Sequence, residues 1–293
     1  MTYSQELKEE LARIELCSNI DKKVQLIAVL KSSAVFTFNS EYVSIDIRLS
    51  SRRLTKDVFN TIKENYPSIN IQTLVQKVNR FSKRTNVYII RLSHKIQDML
   101  FDLDLIDNAK SNIILSLNKI VHNFDEEQTM IYIRTCFICC GTVNDPRRIK
   151  QYHLEFTSQN EEYLKEIQKV LKEYEINLKI SKRRNNIPLY LNKSEEIADI
   201  LKYMGSTNML FEYEDIRIQR DMVTNLNRMN NADIANEEKS IKAAQKQIKA
   251  IKLLKEKNKF SELSQKTKDI AKLRIENEED SLLELSKKTN GDI

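Results

Sequence analysis

The stretch SHKIQDMLFDL at residues 93 to 103 returns about a hundred residues later as SEEIADILKYMG, with Ile96, Asp98 and Leu100 matched by Ile197, Asp199 and Leu201. Self-similarity at a fixed separation points to an internal duplication, so whatever unit the first copy closes, the second must close again. Ahead of the first copy, DKKVQLIAVLKSS carries apolar side chains at helical spacing, and VFTFNSEYVSIDIRL alternates as two strands around an Asn-Ser-Glu turn. RRLTKDVFNTIKENY then resumes a helical period, and INIQTLVQKV and NVYIIRLS read as strands. The order is α-β-β-α-β-β-α. Ahead of the second copy come an apolar helix, EEQTMIYIRTCFICC, a strand, QYHLEFTS, an amphipathic helix, EEYLKEIQKVLKEY, and a hairpin, NLKISKRR with IPLYLNK.

The expected fold class is therefore α+β: one half over 1–104, a linker over 105–125, a second half over 126–205, a helical connector over 206–258 and an all-α tail over 259–293. In the connector, STNMLFEYEDIRIQRDMVTNLNRM and NEEKSIKAAQKQIKAIKLLKEK read as two helices, the second with Ile241, Ala244, Ile248 and Ile251 on one face and Lys242, Lys246, Lys249 and Lys252 on the other. A lysine stripe is either a solvated face or a phosphate contact. In the tail, Ser281 ahead of Leu282, Leu283 and Leu285 suits a helix N-cap.

With 48 Lys and Arg against 42 Asp and Glu, the net charge of +6 is compatible with anionic partners but does not select them. No apolar run approaches the roughly 20 residues of a membrane span, and the N-terminus lacks the apolar core of a secretory signal. A cytoplasmic protein that meets no membrane is expected. Four cysteines in 293 residues do not make a disulfide framework.

Three of those cysteines, Cys136, Cys139 and Cys140, fall at i, i+3 and i+4 in TCFICCGTVNDP, on one helix face. A structural zinc site of this kind needs a turn between its ligands and a second paired motif. A catalytic thiol needs a neighbouring base. Neither is visible locally, which favours packing groups with Gly141 ending the helix. No metal and no cofactor is expected.

IYIRTCFICCGTVNDP resembles the LAGLIDADG helix as it occurs in the WhiA family of bacterial DNA-binding regulators: Tyr132, Arg134, Phe137, Gly141, Val143, Asp145 and Pro146 fit that pattern directly. Thr135, Cys136, Cys139 and Cys140 replace small residues of it, and Thr142 replaces a serine. YHLEF (152–156), SQELKEELARIE near the start and the long stretch from FEYEDIRIQRD onward fit as well, so the resemblance covers nearly the whole chain. It implies two LAGLIDADG-type halves whose first helices pack at the centre, with Ser32, Ser33 and Ala34 meeting Cys139, Cys140 and Gly141, followed by a helix-turn-helix domain.

The resemblance also implies what is lost. Homing endonucleases of this fold place a carboxylate at the end of each central helix to hold divalent metal, since Mg²⁺ takes hard oxygen ligands. Here those positions are Ser33 and Cys140, degenerate and unsuited to Mg²⁺, and no catalytic residue is expected. Asp145, five residues on, suits a turn before Pro146 better than catalysis.

Double-stranded DNA is the implied partner, alongside possible protein partners in transcription or cell division. The candidate contacts on the scaffold are Arg147, Arg148, Lys182, Arg183 and Arg184, with Arg52, Arg53, Lys83 and Arg84 at comparable places in the first half. In the helix-turn-helix domain they are Ser281, Leu282, Leu283, Leu285, Ser286, Lys287 and Lys288, and the resemblance places the family's recognition helix beyond Ile293. The expectation is a non-catalytic regulator of cell division and chromosome segregation, associated with the nucleoid. The alternatives are a protein-interaction scaffold without sequence-specific DNA binding and, behind it, a metal-dependent endonuclease.

Overall fold

The computed structural model describes residues 2–38, 43–80, 83–106, 124–182 and 186–288. The chain divides into two units, Met1–Arg217 and Ile218–Ile293. The Asn-Ser-Glu turn, most of the linker, and Arg183 and Arg184 lie outside the described residues, as do the side chains of Lys83 and Arg84.

The first unit opens with helix α1 (Tyr3–Ala12), capped reciprocally by Thr2 and Gln5. Two sets of elements in the same order follow. The first runs α2 (Asn19–Ser33), β1 (Ala34–Phe38), β2 (Val43–Leu49), α3 (Arg52–Asn65), β3 (Asn70–Arg80), β4 (Lys83–Ser93) and α4 (Ile96–Asp102). The second runs α5 (Glu126–Cys140), β5 (Gly141–Val143), β6 (Leu154–Ser158), α6 (Glu161–Glu173), β7 (Lys179–Ile180), β8 (Ile187–Leu191) and α7 (Ser194–Tyr203). Each set forms a four-stranded antiparallel sheet, in the orders β1-β2-β4-β3 and β5-β6-β8-β7. The duplication is thus complete down to strand order.

The central pair is α2 against α5. Both are capped by reciprocal side-chain and backbone bonds, Ser18 with Asp21 and Asp125 with Gln128, and both are buried on nearly every side, Val24 to Lys31 in one and Ile131 to Ile138 in the other. A helix that is apolar all round has nowhere to go but the centre of a core. By contrast, α3 and α6 bury a single stripe, Leu54, Val58 and Ile62 in one and Tyr163, Leu164, Ile167, Val170 and Leu171 in the other.

Two readings need correction, at β5 and in the connector. The three residues of β5 carry too short an alternation to be seen as a strand, and pairing with β6 makes them one. Gly141 ends α5 as expected, in extended geometry, φ −81° and ψ 153°. Its lack of a side chain is needed because a Cβ there would stand 2.2 Å from the Phe137 ring. Finally, the connector is one helix, α8 (Asn208–Glu256), and not two. The Asn-rich stretch 225–236 suggests a break, but it holds no Gly or Pro, and exposed Asn costs a helix only tenths of a kcal/mol, roughly, per residue.

In the second unit α8 is followed by a 3-10 turn (Phe260–Glu262), α9 (Gln265–Glu276) and α10 (Leu282–Lys288). The buried apolar side chains are Ala244 and Ile248 of α8, Ala271 of α9 and Leu285 of α10. The apolar face expected on the second half of α8 is thus the one that turns inward. Among the described residues no helix is long and apolar enough to cross a membrane.

Candidate nucleic-acid interface

Ser33 is the last residue of α2 and Cys140 the last of α5, so the fold puts both at the helix ends where the resemblance implies lost carboxylates. The Ser33 hydroxyl lies 3.3 Å from that of Ser32, which donates to the Ala28 carbonyl at 2.7 Å. Cys139 meets Ser32 and Ser33 as expected, through their hydroxyls. The Cys140 Sγ donates to the Cys136 carbonyl at 3.2 Å and lies 3.9 Å from the Tyr163 hydroxyl of α6.

Burial pushes the Cys140 thiol up to about 12 and raises those of Cys136 and Cys139 as well. Such groups stay protonated near neutrality, and a thiol is a weaker nucleophile and metal ligand than a thiolate. Asp145 accepts from the Arg147 N–H at 2.9 Å and builds the turn after β5. Among the described residues no three His, Cys, Asp or Glu side chains are arranged to hold a metal ion.

Each sheet carries a carboxylate tied to a neighbouring side chain. On the first, Arg91 grips Asp46 with two parallel bonds of 2.7 and 2.8 Å, and this holds the Asp46 carboxyl below its usual range. On the second, His153 spans Asn192 at 2.6 Å and Glu155 at 3.1 Å. Sequence reasoning missed both pairs. The register signal was present, since Asp46 and Arg91 face each other across β2 and β4, but a single sequence gives no pairing partner for a strand.

The candidate cations differ in how free they are. Arg147 is committed: it bonds Glu212 through Nε and Nη2, at 2.5 and 2.9 Å, reaches Glu6 at 2.8 Å and lies over the Tyr3 ring. Arg148 is 85 % exposed, with Asp145 3.8 Å away. Lys182 pairs with Glu161 at 3.2 Å, and Arg53 with Asp57. In the second unit Lys242 pairs with Glu238 at 3.3 Å, and Lys246, Lys249 and Lys252 stand exposed beside it.

In α10, Ser281 is the cap expected, and Glu284 makes it reciprocal, with bonds of 2.7 and 3.2 Å. Leu285 is buried and anchors the helix, whereas Leu282 and Leu283 are exposed. Lys288 closes on Asn277 at 2.5 Å and Asp280 at 2.7 Å, tying α10 to the preceding turn, while Lys287 is exposed. Arg274 of α9, buried, donates to the Asp280 carbonyl at 2.5 Å.

Two four-stranded halves around paired central helices, followed by a small helical unit, are what the resemblance implies. Comparison with known proteins decides the matter: a "Probable cell division protein WhiA" of Oceanobacillus iheyensis is 33 % identical over 287 residues, 97 % of this chain and 89 % of that protein. The chain belongs to the WhiA family. Three WhiA family models match in succession: the N-terminal LAGLIDADG-like domain over residues 19–106, the LAGLIDADG-like domain over 129–223 and the C-terminal HTH domain over 226–293. The WhiA protein of Staphylococcus aureus strain NCTC 8325, with the same cell-division name, is 30 % identical across 97 % of this chain and 88 % of its own length. Among solved structures, full-length DUF199/WhiA from Thermatoga maritima superposes with a TM-score of 0.60 at 26 % identity, covering 99 % of this chain and 92 % of that one. The names of these WhiA relatives are not enzyme names.

Proposed function

We propose that this WhiA-family chain binds double-stranded DNA without cutting it and acts as a transcriptional regulator in cell division and chromosome segregation, associated with the nucleoid in the cytoplasm. The observation that carries the reading is the pairing of a C-terminal helix-turn-helix match with central helices that end in Ser33 and Cys140. Neither group supplies the anionic oxygen that a hard divalent ion requires, and a thiol held protonated by burial is a still poorer ligand. Affinity comes from the second unit: the exposed Lys246, Lys249 and Lys252, with Lys287 and the cap region of α10 from Ser281 to Ser286, meet phosphates. On the scaffold, Arg148 and Lys182 are the more available of the candidate cations.

A second reading is favoured by one observation. Because Asp46 and Glu155 occupy the sheet faces with their own basic partners, those faces suit a protein surface better than a polyanion, which makes the duplicated half of the molecule a scaffold for partners in division. Fluorescence anisotropy of the full chain on duplex DNA over a series of salt concentrations, with parallel samples in Mg²⁺ run on a gel, separates the readings. The expected result is salt-sensitive binding and intact DNA, the log–log slope counting phosphate contacts at about 0.9 each. Cleavage would revive the endonuclease, and no binding at any salt would leave the protein scaffold.

A further inference from the structure

The two halves end their sheets differently. In the first, the end strand β3 runs 11 residues, each paired with β4. In the second, its counterpart β7 has two residues. The far edge of an end strand presents alternate N–H and C=O groups that its own sheet does not use, and proteins blunt such edges by keeping them short, charged or interrupted by proline. β7 follows that rule. β3 does not: from Gln72 to Gln76 it carries neither charge nor proline, and every residue from Gln72 to Lys77 is exposed.

The strand is open on both faces. The register puts Leu74 opposite Ile89, in the row of Arg48, and Val75 opposite Tyr88, in the row of Leu49, so the two stand on opposite sides of the sheet. Leu74 is 46 % exposed and Val75 59 %. An added strand would cover both while completing the ladder, whereas the phosphates of a duplex reward neither an apolar side chain nor a strand edge. Charge indicates which kind of strand fits. Between Glu64 and Asp98 the six charged residues, Lys77, Arg80, Lys83, Arg84, Arg91 and Lys95, are all basic. A second copy of the chain would bring another hairpin of the same sign, so the complementary strand is an acidic one. The hairpin of the second half is also free of acid, from Ile176 to Ser194, but β7 is too short to extend.

We propose that β3 is a docking edge that takes an extended, acidic segment of a partner protein as a fifth strand of the first sheet. The backbone of that segment pairs with β3 between Gln72 and Lys77, its apolar side chains meet Leu74 and Val75, and a carboxylate meets Lys77. The proposal rests on reading the duplicated half as a scaffold for proteins, and it gives the partner a backbone form and a charge.

The test is fluorescence anisotropy of the full chain with three labelled peptides: Glu-Glu-Val-Thr-Ile-Thr-Val-Glu-Glu, the same peptide with Lys in place of Glu, and the acidic peptide N-methylated throughout Val-Thr-Ile-Thr-Val. The acidic peptide is expected to bind, less tightly as salt is raised, and the lysine peptide is not. The N-methylated form keeps every side chain and charge but has lost the N–H groups of its centre, so its binding should be lost as well. Leu74→Ser should weaken the acidic peptide about tenfold and Lys77→Glu about fivefold, both at exposed positions where folding is not at stake. No binding of the acidic peptide, or equal binding of its N-methylated form, overturns the proposal. Binding that is unchanged in both variants overturns this site and leaves the scaffold reading in place. Duplex DNA is titrated in parallel: an affinity for duplex that falls in Lys77→Glu, with no peptide bound, assigns the hairpin to phosphates and overturns the proposal too.

Discussion

The ammonium of Lys31, on the central helix of the first half, donates to both carboxylate oxygens of Glu166, on α6 of the second half, reaching Oε2 at 2.5 Å. The lysine side chain is completely buried and that of the glutamate is 11 % exposed. Lys31 also lies 5.6 Å from the centre of the Tyr132 ring. The pair spans the two copies of the duplicated unit, where a lone charge of either sign would be left without water.

Removing one partner is expected to cost more than removing both. Lys31→Met or Glu166→Leu should each destabilise by about 3–5 kcal/mol, and the double variant should recover much of that loss. Denaturant unfolding of the four proteins checks it, and additive single losses would contradict it. Burial lowers the Lys31 pKa and Glu166 raises it in part. Between that lowered value and 10.5 the unfolded chain binds the extra proton, so stability attributable to this group rises with pH. Glu166→Gln should lower the folded value further, so its deficit should shrink as pH is raised toward 10.5.

The buried thiols act with the opposite sign. Cys140 goes from the ordinary 9.0 up to about 12 in the folded chain because burial disfavours the thiolate. Below pH 9 both states hold the proton. Between 9 and about 12 only the folded state does, so this contribution is lost across that window. The fall in stability from pH 8.5 to 10.5 should be smaller in Cys140→Ala than in wild type. In the native protein at pH 8, a thiol reagent should modify Cys17, which is exposed, and leave Cys136, Cys139 and Cys140 unmodified until denaturant is added.

Gly141→Ala tests the junction between α5 and β5. The backbone at Gly141 is extended, so alanine meets no torsional penalty. The loss should come from the Phe137 ring alone, which is buried and packs edge-on against Phe156 with centroids 5.8 Å apart. About 1–3 kcal/mol is expected. Phe137→Leu in the same chain should make the alanine less costly, measured as a non-additive double-mutant cycle.

Glu10 supplies the cap that α8 lacks locally. Its carboxylate accepts from the Ser206 hydroxyl and from the N–H groups of Thr207, Asn208 and Met209, at 2.6 to 3.0 Å. Glu10→Ala should cost about 1–2 kcal/mol and raise amide exchange at residues 207 to 209, while Glu10→Gln keeps part of the cap. Unchanged exchange in Glu10→Ala would contradict this assignment.

Arg147 and Arg148 are adjacent in sequence and differ in what they can do. With Glu6, Glu212 and Tyr3 around it, Arg147→Ala should lower the melting temperature and leave the salt dependence of DNA binding unchanged. The exposed Lys246, Lys249 and Lys252 behave in the reverse way: their joint replacement by Gln should reduce the log–log salt slope, by about 0.9 for each lost phosphate contact, with little effect on melting.

The sequence by itself determined the order of elements and their duplication, because burial of an all-apolar helix, a single-stripe helix or an alternating strand leaves a local period that a single chain displays. The inward face of Ile241, Ala244, Ile248 and Ile251 was legible for the same reason, the Ser281 cap from residue type, and the helix-end positions of Ser33 and Cys140 from the family resemblance. The three-residue β5 and the unbroken α8 were not, since strand pairing and the absence of any strong helix breaker decide them. Only the tertiary structure decided which charges are spent. Lys31 with Glu166, Asp46 with Arg91, and Arg147 between Glu6 and Glu212 join residues up to 141 positions apart. The energy of a charge depends on what lies within a few ångströms and on how much water remains, and neither quantity has a period along the chain.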